Sequence, residues 1–151
     1  MPGPGFAAGP CLLKDTMQLA AFSDNSFSLG HSAMLVNEGL PLYIVSQLEK
    51  HFALENLTVG ILGMAIKAGS EDIRSSLSYK LRRVLKFRAK AVLATDPYVD
   101  EETDDTLLPL DLVLEKADVL VIATPHPEYR DLRTDKPVAD VWNIRGDGVL
   151  V

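Results

Sequence analysis

The sequence predicts an α/β fold: a parallel sheet with helices on both faces, preceded by a stretch made only of loop and helix. Three observations carry this. Residues 57–151 alternate short, almost wholly apolar runs with helical patterns, as strands buried on both faces require. Residues 1–56 show helical periodicity and no such run. The 151 residues, 47% hydrophobic and 24% charged with 10 Gly and 9 Pro, have the balance of one folded domain and exclude a disordered chain or a large multidomain enzyme.

Residues 1–10 combine repeated Pro and Gly, which cannot continue a helix or a central strand, so the chain starts on an irregular loop. A short helix begins near Asp15, carries Met17, Leu19, Ala20, Ala21 and Phe22, and is broken by Ser23-Asp24-Asn25-Ser26. A longer one spans about His31 to His51, with a kink or break expected near Gly39-Leu40 because Pro41 removes an amide donor. The period then changes. Thr58–Gly63 is a β-branched run ended by Gly, Glu71–Ala89 an amphipathic helix, and Ala91–Thr95 a second strand, which together make a βαβ unit. Leu110–Ala117 reads as a short helix, Asp118–Thr124 as a buried strand and Val138–Trp142 as a fourth strand.

Fifteen Lys and Arg against 21 Asp and Glu give a formal charge of -6, which argues against nucleic acid as a partner. The basic run from Lys80 to Lys90 has the spacing of a solvated helix face. Cys11 is the single cysteine, so there is neither an internal disulfide nor a thiolate zinc site, and His31, His51 and His126 lack metal-ligand spacing. No run of about 18 apolar residues could span a bilayer, and the first residues lack a basic, then apolar, leader pattern. The expectation is a cytoplasmic chain with no membrane, metal or nucleic-acid partner.

In open α/β sheets ligands bind beyond the carboxyl ends of the strands, here Gly63–Lys67, Thr95-Asp96-Pro97 and Thr124-Pro125-His126. Gly60-x-x-Gly63 followed by a helix suggests a phosphate site on free helix amides, with Lys67 beside it. It is not the dinucleotide fingerprint G-x-G-x-x-G or a P-loop, so the alternative is a tight strand-to-helix turn with a solvated Lys. Asp96 is either a ribose-binding carboxylate or the first residue of an Asp-Pro turn, and the turn is the favoured reading. His126, between two prolines, is either a site residue or structural. Cys11 follows a Gly/Pro loop at a helix start beside Lys14, a setting that activates a thiol, with Asp15 one turn on; the alternative is a buried small hydrophobe.

The run Pro2-Gly3-Pro4-Gly5-Phe6-Ala7-Ala8-Gly9-Pro10-Cys11-Leu12-Leu13-Lys14-Asp15 resembles the catalytic-cysteine loop of the UDP-glucose/GDP-mannose dehydrogenase family, roughly P-G-x-G-F-G-G-x-C-x-x-K-D. Val36-Asn37-Glu38 resembles its central dimer helix. Ile61–Lys67 with Glu71–Ser76 resembles its G-x-A-F-K-x-x-T-D-D-x-R-x-S segment, and Thr95–Val99 and Ala117-Asp118 also fall where the family has them.

The resemblance implies a Rossmann-like nucleotide-sugar-binding domain over residues 57–151, preceded over 1–56 by the end of a helical dimerisation domain carrying the cysteine loop. It implies NAD-dependent oxidation of the C6 alcohol of a UDP- or GDP-sugar to the acid, through a thiohemiacetal and a thioester on cysteine. Cys11 then matches the nucleophile and Asp15 the acid/base residue. Lys14 and Arg74 match residues near the cofactor, and Phe6, Ala8 and Lys67 match substrate contacts.

Three departures stand out. Ala7-Ala8 replace paired glycines, a cost if those positions need positive φ. Ile66 replaces a Phe, and Asp140-Val141-Trp142-Asn143 carries its Arg later, at Arg145. The N-terminal G-x-G-x-x-G domain of the family does not occur in the 151 residues. The expectation is therefore a fragment with an incomplete NAD site, joined to a missing N-terminal half or forming a homodimer. The alternative is a non-catalytic nucleotide-sugar module or one half of a split enzyme.

Overall fold

The computed structural model describes residues 5–9 and 11–146; the remainder of the opening loop and of the last segment lies outside the described residues. Two helices come first, α1 (Leu12–Phe22) and α2 (Ser28–His51), joined by a turn in which Asp24 and Asn25 take positive φ. Four strands follow: β1 (Thr58–Leu62), β2 (Ala91–Thr95), β3 (Val119–Ile122) and β4 (Val138–Asp140). Between them lie α3 (Leu77–Leu85) and α4 (Leu110–Lys116).

All pairings are parallel and the strand order is β2-β1-β3-β4. The period of 2 along each strand sends alternate side chains to opposite faces. Val59, Ile61, Val119 and Val121 meet α2 and α3, with Leu48, Leu81 and Leu85, on one face. Leu62, Leu120 and Ile122 meet Val113 of α4 and Ala117 just after it on the other. Gly60 is part of that second contact, because a Cβ there would stand 2.8 Å from Val113 and 2.9 Å from Ala117. Both faces are thus covered, as the continuous apolar strands require. The chain passes from β1 to β2 on one side and then crosses back to β3 on the other side of β1, so the strand order reverses between β1 and β3, the place where open α/β sheets form a crevice at the strands' carboxyl ends.

Two elements differ from the sequence expectation. The helix expected from Glu71 starts at Leu77, because Ser76 caps it by accepting the Ser78 amide and Ser75, at φ +59, cannot continue a helix upstream. Residues 63–76 are therefore a long connection across the strand ends. Pro41 does not break α2, which runs through it. Its ring is buried beside the buried Ile44 and Val45, so packing outweighs the missing amide bond.

Candidate functional site

The loop before α1 is held at several of its described residues. Gly5 has φ +129 and sits on the Trp142 ring, where a Cβ would be 2.2 Å from Cε3. Phe6 is buried in the core formed with Ile44, Val45 and Val141. Asn37 of α2 pairs with both backbone groups of Ala7: Oδ1 accepts its amide at 2.9 Å and Nδ2 donates to its carbonyl at 2.6 Å. Gly9, at φ +132, directs its missing Cβ toward Ile66 Cδ1, 3.9 Å away. Positive φ thus falls on Gly5 and Gly9, and Ala7 and Ala8 escape the backbone cost raised by their substitution for glycine. Trp142 supports this loop and donates its indole N–H to the Ala123 carbonyl at 2.8 Å.

Cys11 stands exposed at the start of α1, and its carbonyl accepts the Asp15 amide at 2.8 Å. It is therefore not the buried hydrophobe of the alternative reading. Lys14 and Asp15 pair with each other at 3.2 Å, both largely exposed, an arrangement that contributes little to stability.

The connection after β1 is pinned from below. Gly63, at φ +94, lies so close to Thr124 that a Cβ would be 2.4 Å from the Thr124 Cβ. Asp96 Oδ2 accepts the Met64 and Ala65 amides at 2.6 and 2.9 Å. Its Oδ1 accepts the Tyr98 and Val99 amides at 2.9 and 3.3 Å, the Asp-Pro turn read from the sequence. Burial pushes the Asp96 carboxyl up, yet the hydrogen bonds from His126 and from the Met64, Tyr98 and Ala65 amides hold it below the usual carboxylate range. Thr124 donates to the Ala65 carbonyl at 2.7 Å. His126 is fully buried, with Nε2 3.1 Å from Asp96 Oδ2 and Nδ1 accepting the Gly69 amide at 3.2 Å.

These contacts support the tight-turn alternative over a phosphate site on the amides that directly follow β1. The amides after β1 already serve an internal carboxylate, and the helix that was to offer free amides begins later and is capped. The pyrophosphate of NAD thus has no cradle in this turn, and the residues present do not fit a dinucleotide on their own.

Exposed on top of the pinned connection are Lys67 and Arg74. Arg74 grips Asp72 with two bonds, Nε at 2.9 Å and Nη2 at 2.7 Å. Hydrogen bonds from the Arg74 side chain and backbone, assisted by charge from Arg74 and Lys67, hold the Asp72 carboxyl down at about 2. Asp72 raises Arg74 in turn, and Cys11 lies near enough to add to that effect. Lys67 and Arg74 thus both act on Asp72, on the connection that crosses the strand ends. Lys14 and Asp15 face solvent, Phe6 turns into the core, and Ala8 is half-buried.

Sequence reasoning placed Asn37 in the segment resembling the dimer helix and Trp142 among the departures from the family pattern, and gave neither the part the structure shows, which is to hold the cysteine loop. Among the described residues no group of His, Cys, Asp and Glu could hold a metal, and no helix is long and apolar enough to cross a membrane.

Residues 60–146 match the family model of the UDP binding domain of the UDP-glucose/GDP-mannose dehydrogenase family. A UDP-N-acetyl-D-mannosamine dehydrogenase of Pyrococcus horikoshii is 33% identical over 136 residues, covering 87% of this chain and 31% of that protein. A UDP-glucose 6-dehydrogenase of Haloferax volcanii is 30% identical over 133 residues, covering 82% and 31%. Among solved structures, a UDP-glucose dehydrogenase of the hyperthermophilic archaeon Pyrobaculum islandicum superposes with a TM-score of 0.83 at 29% identity, covering 95% of this chain and 36% of that one. The chain spans about a third of the length of these relatives. With its four-stranded parallel sheet and the family match across that sheet, the chain belongs to the UDP-glucose/GDP-mannose dehydrogenase family.

Proposed function

We propose that this chain supplies the nucleotide-sugar-binding and cysteine-bearing part of an NAD-dependent nucleotide-sugar 6-dehydrogenase. The observation that carries the reading is the exposed Cys11 thiol, whose loop faces Ile66 on the connection that carries Lys67 and Arg74, in a chain whose sheet matches a UDP-binding domain. Lys67 takes the diphosphate of the substrate, and the backbone of Phe6 and Ala8 lines the sugar side. Cys11 is the nucleophile: its thiolate adds to the C6 aldehyde carbon, and the carbonyl oxygen takes up a proton to give a thiohemiacetal. Asp15 manages the proton of the water that later cleaves the thioester. Lys14 and Arg74 approach the cofactor from this side, while a region outside the described residues binds NAD itself, since the turn after β1 does not fit it.

Residues 1–56 act as the end of a helical dimerisation domain and 57–151 as the binding domain. The exposed apolar side chains of α1 and α2, among them Leu19, Phe22, Leu29, Leu35 and Val36, support cover by a second copy or by the N-terminal half of the enzyme. A reduced lone cysteine supports a cytoplasmic setting. The missing dinucleotide cradle favours one second reading, a module that binds nucleotide sugar without catalysis.

The test is to mix the chain with NAD and UDP- or GDP-sugars, with and without a separately expressed NAD-binding half from a relative. The chain alone is expected to form no NADH, and the mixture to form NADH and acid that Cys11→Ser abolishes. Acid production unchanged by Cys11→Ser removes the nucleophile assignment. Nucleotide-sugar binding with no turnover in any mixture favours the module.

A further inference from the structure

The connection that carries Lys67 is anchored at both ends by one buried pair. At its start, Asp96 Oδ2 accepts the Met64 and Ala65 amides; at its end, Gly69 donates to His126 Nδ1; and His126 Nε2 meets the same Asp96 oxygen at 3.1 Å. Lys67 stands exposed between the two anchors. Because Gly69 N–H is a donor, Nδ1 is unprotonated, and Nε2 carries the ring proton toward the carboxylate.

We propose that His126 is a positioning residue for Lys67: only its neutral Nε2–H form closes the far end of the Met64–Gly69 segment and so presents the lysine to a diphosphate. Protonation at Nδ1 would set a donor against the Gly69 donor and release that end while keeping the bond to Asp96. Each element around the ring supplies a group that the imidazolium would meet. Asp96 faces it from the end of β2, together with the Tyr98 ring at 4.9 Å between centroids. From the short turn after β3 come Glu128, close enough to sense its charge, and the Tyr129 ring at 5.7 Å. From the Lys67 side comes the uncharged Gly69 amide.

The inference rests on the proposed role of Lys67, and a double-mutant cycle on the whole chain tests it, with UDP-glucose as the probe because its diphosphate diester does not titrate near neutral pH. His126→Gln keeps a donor toward Asp96 but loses the acceptor for Gly69. It is expected to weaken UDP-glucose binding about fivefold, the size of one hydrogen bond, and to speed exchange of the Gly69 amide. His126→Asn keeps an acceptor at the Nδ1 position and is expected to hold near wild-type affinity although its melting temperature falls. In a Lys67→Ala background, His126→Gln is expected to cost nothing further. A cost that persists without Lys67 assigns His126 a purely structural role and overturns the proposal, as does an unchanged Gly69 exchange rate in His126→Gln. Failure of the wild-type chain to bind UDP-glucose at all sinks the role of Lys67 in the proposed function, and with it the positioning role, even where Gly69 exchange still responds to His126.

Discussion

Asn37 on α2 and Ala7 in the cysteine loop form a two-bond clamp, the amide side chain acting as both acceptor and donor for one residue's backbone. Nothing else described ties Ala7 to the helix beneath it. Asn37→Ala should cost about 1 kcal/mol, since two partly solvated bonds contribute less than buried ones. Hydrogen exchange should show the Ala7 amide losing protection while β1 keeps its own. Equal loss of protection at both sites would mean that the clamp does not act locally.

Asp96 serves five donors with two oxygens, and an amide cannot replace it because its NH2 would face N–H groups. Asp96→Asn should cost about 3 kcal/mol at pH 7, measured by urea unfolding. The folded carboxyl titrates below its unfolded value, so its contribution is present above a pH of about 4 and is lost as pH falls through the folded value. The gap between wild type and variant should therefore narrow in acid. A gap constant from pH 7 to pH 2 would contradict a charged Asp96.

Two glycines of the same connection should behave differently. Gly63 combines φ +94 with a Cβ position 2.4 Å from the Thr124 Cβ, so Gly63→Ala should destabilise by about 3 kcal/mol or more. Gly69 has φ +64 and nothing within 4 Å of its Cβ position, so Gly69→Ala should cost about 1 kcal/mol from backbone strain alone. Thermal melts of the two variants check the order.

Lys67 and Arg74 are exposed, and the pairing of Arg74 with Asp72 is a surface ion pair. Lys67→Ala and Arg74→Ala should leave unfolding free energy within about 0.5 kcal/mol of wild type. Lys67→Ala should lower UDP-glucose affinity about tenfold at low salt, a loss that shrinks as salt screens the diphosphate, whereas Arg74→Ala, on the cofactor side, should leave that affinity near wild type. Calorimetric titration at two salt concentrations reads both effects.

Much of the fold was legible because strand burial writes itself into composition. Ala91–Thr95 was read to the residue, and the other three strands to within two residues of their ends, since runs without polar residues leave few alternatives. The start of α3 was not legible: Glu71–Ser76 carries helix-compatible spacing, and only the Ser76 cap and the positive φ of Ser75 reveal the late start. The choice between an anion site and a tight turn was open for a related reason. A glycine turn signals free amides, but its actual acceptor, Asp96, lies more than thirty residues away in sequence. The turn role of Asp96 was legible from Asp-Pro, while its partnership with His126 needed the sheet to bring two strand ends together. Cys11 and Lys67 were singled out from their local chemistry, and Arg74 only through the family resemblance. The supports of the loop were not, because Asn37 and Trp142 look like an ordinary helix residue and an ordinary strand-end aromatic.

The most direct test of the central claim is a backbone amide shift map of the labelled chain titrated with UDP-glucose. The account predicts saturable shifts concentrated at Phe6–Ala8 and Gly63–Lys67, with α4 unmoved. Shifts confined to other surfaces, or none at saturating ligand, would contradict it.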